Sequence, residues 1–354
     1  MRYGAKGRDL EIIKEILKSY PYSFYVYGSR TKGNQQKFSD INLFIIDETQ
    51  PASLPAQLKG EFEESDLSIT IDVNSWFDIQ EDFRCLVEKD LTIFHANPDF
   101  IKAETNQFSK CTYLPRALGY SVIDNGFASV TNCNLNTSMF NVTCRAKFDD
   151  QVGTRIQEIV DQYNNKPFAW WIGLMDIPAD LGSELEKYGF RRQETDYVMF
   201  YKFVDFQPFE LNKNITIEQV NTRKQIDEFL ITLSSYDEYV RDFFNDRIIS
   251  SEVMERNPLF VSYIDGKPVG NGSLHFTDNI VGIYDIITAD NLRGHGIGTN
   301  MMKYLMNFTY QKGYNEICLS TSSDYGFRIY SKLGFKAVGI YGYYEWPGNQ
   351  RDMK

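Results

Sequence analysis

Histidine and cysteine are sparse in this chain and nowhere grouped. The three histidines stand at 95, 275 and 295, and the five cysteines at 85, 111, 133, 144 and 318 form no C-x-x-C spacing. A His/Cys zinc site needs such clusters, so none is expected. An odd number of unspaced cysteines also excludes a disulfide scaffold and reads as reduced thiols in a cytoplasmic protein. Long apolar runs are missing too: no stretch approaches the roughly 18 residues that a membrane span needs. The opening residues, MRYGAKGRDLEIIKEILK, are charged throughout and lack the apolar core of a signal peptide. Sequons at Asn141 and Asn214 therefore carry no weight. Positive charge is in deficit, with 37 Lys plus Arg against 48 Asp plus Glu and a net charge of −11. That balance argues against broad nucleic-acid binding and favours small cationic or amine-bearing partners.

What is present is ample material for cores. The 354 residues suffice for two or three domains, and 42% are hydrophobic and 15% aromatic. Leu10, Ile13, Ile16 and Leu17 predict a helix over 8–19, closed by Pro21. FYVY and INLFII predict strands, a polar stretch spans 47–66, LSITIDV alternates as a strand does, and a helix is expected over 79–89. Residues 104–112 read as a polar link. Strands are then expected over 138–148, 167–175 and from Val198, with helices over 152–163 and 179–188; a second link covers 206–213. The last third predicts a strand at ITIEQV, helix over 223–247, a hairpin about Asp265-Gly266 and a strand over 281–288. A helix over 298–312 stops at Gly313, then come the strand EICLST, a short helix over 323–333 and a closing strand. The fold class is α/β (α+β).

The most informative segment joins the strand ending Asp285-Ile286-Ile287-Thr288 to the loop Arg293-Gly294-His295-Gly296-Ile297-Gly298-Thr299 and the helix after it. Unpaired N–H groups at a helix start attract phosphate, and glycine lets the phosphate approach closely. A Walker loop would need Lys and Ser/Thr after the last glycine, and a dinucleotide loop would need G-x-G-x-x-G. Neither fits. The pattern left is R-x-x-G-x-G, read on Arg293, Gly296 and Gly298, and it resembles the pyrophosphate loop of GNAT acetyltransferases. GFRIYSKLGF (326–335) is similar to the helix of that family that carries a tyrosine beside the thioester.

This resemblance covers about 140 residues and implies acetyl-CoA as cofactor. It implies backbone contacts from Ile286, Ile287 and Thr288 to the acyl-pantetheine arm, and a pyrophosphate cradle over Arg293–Thr299. Tyr330 would protonate the departing thiolate. Ser323 stands where relatives often have Asn against the cofactor, a departure. For the base that activates an acceptor amine, Asp285, a water relay and a purely structural ion pair at Asp285 stay open. His295 is expected to face solvent and His275 to be a satisfied core residue.

PFAWWIGLMDIPADLGSELEKYGF with Met199 resembles the first copy of tandem GNAT proteins, through Trp170, Trp171, Gly173, Pro178, Leu181, Leu185, Gly189 and Phe190. It has no R-x-x-G-x-G, so it is expected not to hold CoA and to serve as structure, with one wall of the acceptor pocket as a further role. At the N-terminus, Gly28-Ser29, ten residues, then Asp40-Ile41-Asn42 resembles small nucleotidyltransferases, with Asp72 as the acid on a later strand. That implies nucleotide contacts from Gly28, Ser29, Arg30 and Lys32, and Mg2+ at Asp40, Asn42 and Asp72, with ATP as the nucleotide. Asn42 departs from the family's second Asp, and a neutral amide weakens divalent binding.

The expected organisation is a nucleotidyltransferase-like domain (1–104), a degenerate GNAT-like domain (113–207) and a catalytic GNAT domain (213–354), the latter two of mixed-sheet type. The function implied is acetyl-CoA-dependent N-acetylation of a primary amine on a small molecule or protein. Nucleotidyl transfer by the N-terminal domain, and a non-catalytic CoA- and nucleotide-binding sensor, are the alternatives.

Overall fold

The structure is a computed structural model and describes residues 5, 7–31, 39–233 and 237–348. The first segment runs α1 (Gly7–Lys18), β1 (Phe24–Tyr27), β2 (Ile41–Ile45), α2 (Leu54–Glu63), β3 (Ile71–Ser75), α3 (Glu81–Val87) and β4 (Thr92–His95). Its sheet has the order β3-β2-β1-β4, with β2 and β3 parallel and the other pairs antiparallel. α1 buries Ile13 and Leu17, one turn apart, against Val26 and Leu43 of the sheet. The stretch 47–66, read as polar and irregular, contains α2. Leu54, Leu58 and Phe62 recur every four residues there and fill the same core.

The expected link at 104–112 lies inside the helix α4 (Pro98–Leu118). Asn97 caps it, its Oδ1 accepting from Asp99 N at 2.7 Å, and Pro98 sits at the first turn, where no N–H is needed. Gly119, at φ 93°, ends it. α4 buries Phe100, Ala103, Phe108, Leu114 and Leu118 along its length, and its polar Glu104, Asn106 and Thr112 are buried too, so the stretch is a packed helix and not a linker.

The middle segment holds β5 (Ser121–Asp124), β6 (Ser129–Asn132), β7 (Val142–Cys144), α5 (Val152–Gln162), β8 (Phe168–Ile172), α6 (Leu181–Lys187), β9 (Arg191–Arg192) and β10 (Asp196–Lys202). The last part holds β11 (Thr216–Gln219), α7 (Arg223–Leu233), α8 (Val240–Phe243), α9 (Ser251–Arg256), β12 (Leu259–Ile264) and β13 (Lys267–Phe276). Then follow β14 (Val281–Thr288), α10 (Ile297–Gln311), β15 (Glu316–Thr321), α11 (Asp324–Lys332) and β16 (Lys336–Trp346). The strand expected over 138–148 shrinks to β7, and the helix expected over 223–247 is interrupted after α7.

Both parts share one mixed sheet, ordered β11-β12-β13-β14-β15-β10-β16-β8-β7-β6-β5, with β9 on β16. β10 of the middle segment lies between β15 and β16 of the last part, antiparallel to both. β16 pairs with β10 through its first half and with β8 through its second. The segments 113–207 and 213–354 are thus joined by strand exchange, which an alternation pattern cannot reveal because it marks strands and not their neighbours. The first segment docks on the same seam: Ile340 N donates to Tyr25 Oη at 2.8 Å, Ser23 Oγ donates to Val338 O at 2.5 Å, and Ala337 N donates to Glu48 Oε2 at 2.7 Å. No helix among the described residues is long and apolar enough to cross a membrane.

Candidate functional site

β14 and β15 run parallel but pair only at Val281↔Ile317 and Gly282↔Cys318. Beyond that point they diverge, and the backbone of 283–288 leaves the ladder on that side. On its other side β14 is bulged. Its register with β13 jumps from Ser273↔Tyr284 to Asn271↔Ile287, so Asp285 and Ile286 face Gly272 alone. Asp285 adopts φ 57°, and its carbonyl accepts from Asn271 Nδ2 at 2.7 Å, which holds the bulge. Close approach at the bulge leaves no room on β13: a Cβ at Gly270 would stand 2.8 Å from Ile287 O.

The glycine loop follows directly. Gly294 and Gly296 take φ 82° and 78°, and Gly296 is the N-cap of the 15-residue α10. A Cβ at either would meet nothing within 4 Å, so both glycines border open space at the helix start. Arg293 is exposed and paired with Asp290 at 2.6 Å. His295 is exposed, as expected, and Ile297 is buried under the helix. Gly298 backs onto Thr288, whose Oγ1 would stand 3.4 Å from a Cβ at that glycine, so loop and strand lie in contact. The splayed strand, open glycines and free helix N-terminus suit a pantetheine arm and a pyrophosphate, so the residues fit an acyl-CoA.

Tyr330 lies on α11, packed on the same apolar cluster as Ile286, and burial pushes its phenol up to about 12. Ser323 caps α11 by accepting from Gly326 N at 3.2 Å, so its hydroxyl serves the helix. Asp285 Oδ2 accepts from Ser273 Oγ at 2.5 Å and lies 3.6 Å from Lys110 Nζ of α4. Lys110 in turn sits 4.0 Å above the Tyr284 ring, and Tyr284 Oη donates to Asn106 Oδ1 at 2.7 Å. Beside Asp285 is a pocket of 120 Å3 lined by Lys110 and Cys111 of α4, Phe140 and Trp171 of the middle segment, and Phe243. Reading the sequence finds Asp285 but misses Lys110, Asn106 and Ser273, since nothing local distinguishes a lysine on an unrecognised helix from a solvated one. His275 is a buried core residue, as expected, bonded to Asn257 Oδ1 and Ser109 Oγ.

In the first segment Gly28 turns at φ 87° against Asn42, whose Nδ2 would be 3.5 Å from a Cβ there. Asn42 and Asp72 are register partners on β2 and β3, and Asp40 is exposed just before β2. Ser29 is half-buried in the turn. Arg30 is buried and its Nε donates to the carbonyls of Ser39 and Asp40 at 3.0 Å, so it braces the loop before β2. Lys32 lies outside the described residues. Asp72 accepts from Asn74 Nδ2 at 3.0 Å. The candidate donors are two carboxylates and a neutral amide, and among the described residues no three acidic, His or Cys side chains are grouped to hold a metal ion. The donor set does not fit a two-metal phosphoryl-transfer centre.

Residues 224–335 match the profile of the acetyltransferase (GNAT) family, and residues 11–105 match that of the polymerase beta nucleotidyltransferases. A probable protein adenylyltransferase MntA of Haemophilus influenzae is 35% identical over 104 residues, 28% of this chain and 90% of the relative. A GCN5-related N-acetyltransferase from Kribbella flavida shares the fold with a TM-score of 0.55 at 14% identity, over 70% of this chain and 96% of its own. That coverage exceeds what residues 213–354 alone supply, so the likeness extends into the middle segment. The chain thus joins an N-terminal domain of the nucleotidyltransferase family to a C-terminal domain matching the GNAT acetyltransferase family.

Proposed function

We propose that the protein transfers an acetyl group from acetyl-CoA to a primary amine in the pocket beside Asp285. The observation that carries this reading is the divergence of β14 from β15 next to a bulge and an open glycine loop. Acetyl-CoA supplies an activated acyl carbon and a thiol leaving group. The roles of this chain's residues follow from their positions. Backbone groups of Ile286, Ile287 and Thr288 hold the acyl arm, and the loop over Arg293–Thr299 holds the pyrophosphate by its N–H groups. Strand N–H groups at the bulge stabilise negative charge on the acyl oxygen. Asp285 accepts the proton of the attacking amine. Its carboxylate stands 3.6 Å from Lys110 Nζ, and its place in the pocket wall gives it reach. Tyr330 keeps its proton at neutral pH and serves as donor to the leaving sulfur.

The acceptor must be slim at its reactive end, because the pocket is small and apolar apart from Asp285, Lys110, Gln107 and Cys111. Trp171 and Phe140 suit a hydrocarbon stem next to the amine. The overall acidic balance favours a cationic acceptor. Calorimetric titration with acetyl-CoA, followed by thiol release across a panel of primary amines, tests the reading. Micromolar acetyl-CoA binding that is lost in Gly296→Glu is expected. An unchanged affinity in that variant overturns the loop assignment.

A second reading is favoured by one observation, the 35% identity to a probable protein adenylyltransferase across 90% of its length. It is nucleotidyl transfer by the first segment, and the two-carboxylate donor set opposes it. Mg2+-dependent consumption of ATP that disappears in Asp40→Ala would establish it.

A further inference from the structure

A cavity of 820 Å3 lies between the N-terminal sheet and the strands β8 and β16, within the size range of sites for small organic molecules. The acetyl-transfer reading makes no use of it. Two carboxylates stand in its wall, Glu104 of α4 and Asp176 of the turn after β8, each 8% exposed. Leu174 N donates to Glu104 Oε1 at 2.8 Å, and Gly173 N donates to Asp176 Oδ2 at 2.9 Å. Gly173 and Leu174 are consecutive, and neighbouring residues lie within about 4 Å of each other, so the two carboxyl groups are held side by side.

Neither group has a salt-bridge partner among the described residues; Arg145 and Lys147 act on them only through space. The arginines of the cavity wall are committed elsewhere. Arg30 donates to the carbonyls of Ser39 and Asp40, and Arg192 to those of Glu88 and Lys89. The buried Tyr341 hydroxyl has no hydrogen-bond partner among the described residues and feels the charge of Glu104. Two buried carboxyl groups without an ion-pair partner resist ionising, and a cation seated between them would stabilise their charged forms. The rest of the wall mixes apolar Ile93, Phe100, Leu174 and Tyr344 with polar Thr31 and Thr92 and the exposed Lys89, while Asp180 and Glu186 lie exposed on α6 and its approach.

We propose that this cavity binds a linear organic amine with two or more ammonium groups, one seated between Glu104 and Asp176 and another at Asp180 and Glu186. The apolar side chains Ile93, Phe100 and Leu174 of that wall take the methylene chain between them. A lone metal ion does not suit the place, because the cavity is far larger than an ion and only two buried carboxylates offer oxygen. The geometry of the two consecutive amides is what makes the seat specific: it fixes both carboxylates before any ligand arrives.

Calorimetric titration of the full chain with spermidine tests the proposal. Saturable binding is expected, weakened tenfold or more in Glu104→Gln and in Asp176→Asn, and unchanged in Asp285→Asn. Ser183→Trp, which adds bulk at the cavity wall from α6, is expected to weaken it as well, and decides the matter if a carboxylate variant misfolds. Equal affinity in Glu104→Gln, Asp176→Asn and Ser183→Trp overturns the proposal. So does loss confined to Asp285→Asn, which would mark the acceptor pocket as the site, and so does the absence of binding to the full chain.

Discussion

At the scale of single residues, burial and pairing set what each group can do. Tyr330 is raised to about 12 by burial, so a neutral-pH solution leaves its proton in place. Tyr330→Phe is expected to lower kcat by about 100-fold, the lower range for general acid work, with acetyl-CoA affinity nearly unchanged. Rapid-mixing measurement of thiol release separates the two quantities, and full turnover in the variant removes the role. Glu104 is a different case: burial pushes it up to about 7, above its unfolded value near 4.5. The folded chain therefore holds a proton that the unfolded chain gives up between these values, and stability falls as pH rises from about 4.5 through 7. Glu104→Gln removes that loss. It is expected to raise stability at pH 8 by on the order of 2 kcal/mol and to flatten the profile of melting temperature against pH between 5 and 8. A parallel, unshifted profile would show that Glu104 stays ionised in the fold.

At the scale of elements, α4 is the organiser. It caps against the N-terminal segment, crosses the shared sheet, and brings Asn106 to Tyr284 and Lys110 to Asp285. Asn97 does two things at its start: it accepts from Asp99 N, and its Nδ2 donates to the buried Asp47 at 2.6 Å. Asn97→Ala is expected to destabilise the fold by about 2 kcal/mol, a lost cap plus a buried carboxylate short of one donor. Chemical denaturation checks it, and a change below about 0.5 kcal/mol would mean that water replaces both bonds. The sequence announces some elements clearly and hides others for reasons visible in this helix. β14, α10 and α11 carry strict periodicity, glycine stops and a recognisable loop, and they lie within a residue of expectation. α4 was hidden because residues 104–112 are rich in Glu, Asn, Gln, Ser and Lys, and polar side chains that are buried against distant partners look, in sequence, like those of a linker. Likewise α2 was obscured by Pro51 and Pro55, although Leu54, Leu58 and Phe62 kept their spacing. The glycine loop was legible because its motif is local. The pocket beside Asp285 was not, since Lys110, Phe140, Trp171 and Asp285 meet only through tertiary packing.

At the scale of the whole molecule, the sheet ignores the divisions that composition suggests. Residues 213–354 contain the glycine loop, the bulged strand and Tyr330, yet they lack β10, which fills the gap between β15 and β16. Expressed alone, that stretch would expose Val198-, Met199- and Phe200-shaped vacancies and two unpaired strand edges. It is expected to be insoluble or to lose the acetyl-CoA binding expected of the full chain. Size-exclusion chromatography with calorimetry of the fragment checks this, and a monomeric fragment that binds as the full chain does would show that β10 is dispensable.

The seam around β16 also dictates the order in which the molecule can be finished. This strand is made after every segment it joins, yet it pairs with β10 and β8 and receives Tyr25, Ser23 and Glu48 from the first segment. Its partners lie more than 130 residues away in the chain, and the Tyr25 contact spans 315. Early segments can reach local order on the ribosome, but their edges wait for a strand that has yet to emerge. A frameshift or stop codon shortly before residue 336 would thus disable not one unit but the completion of all three, and quality control would meet a long chain with open edges in place of a folded remainder.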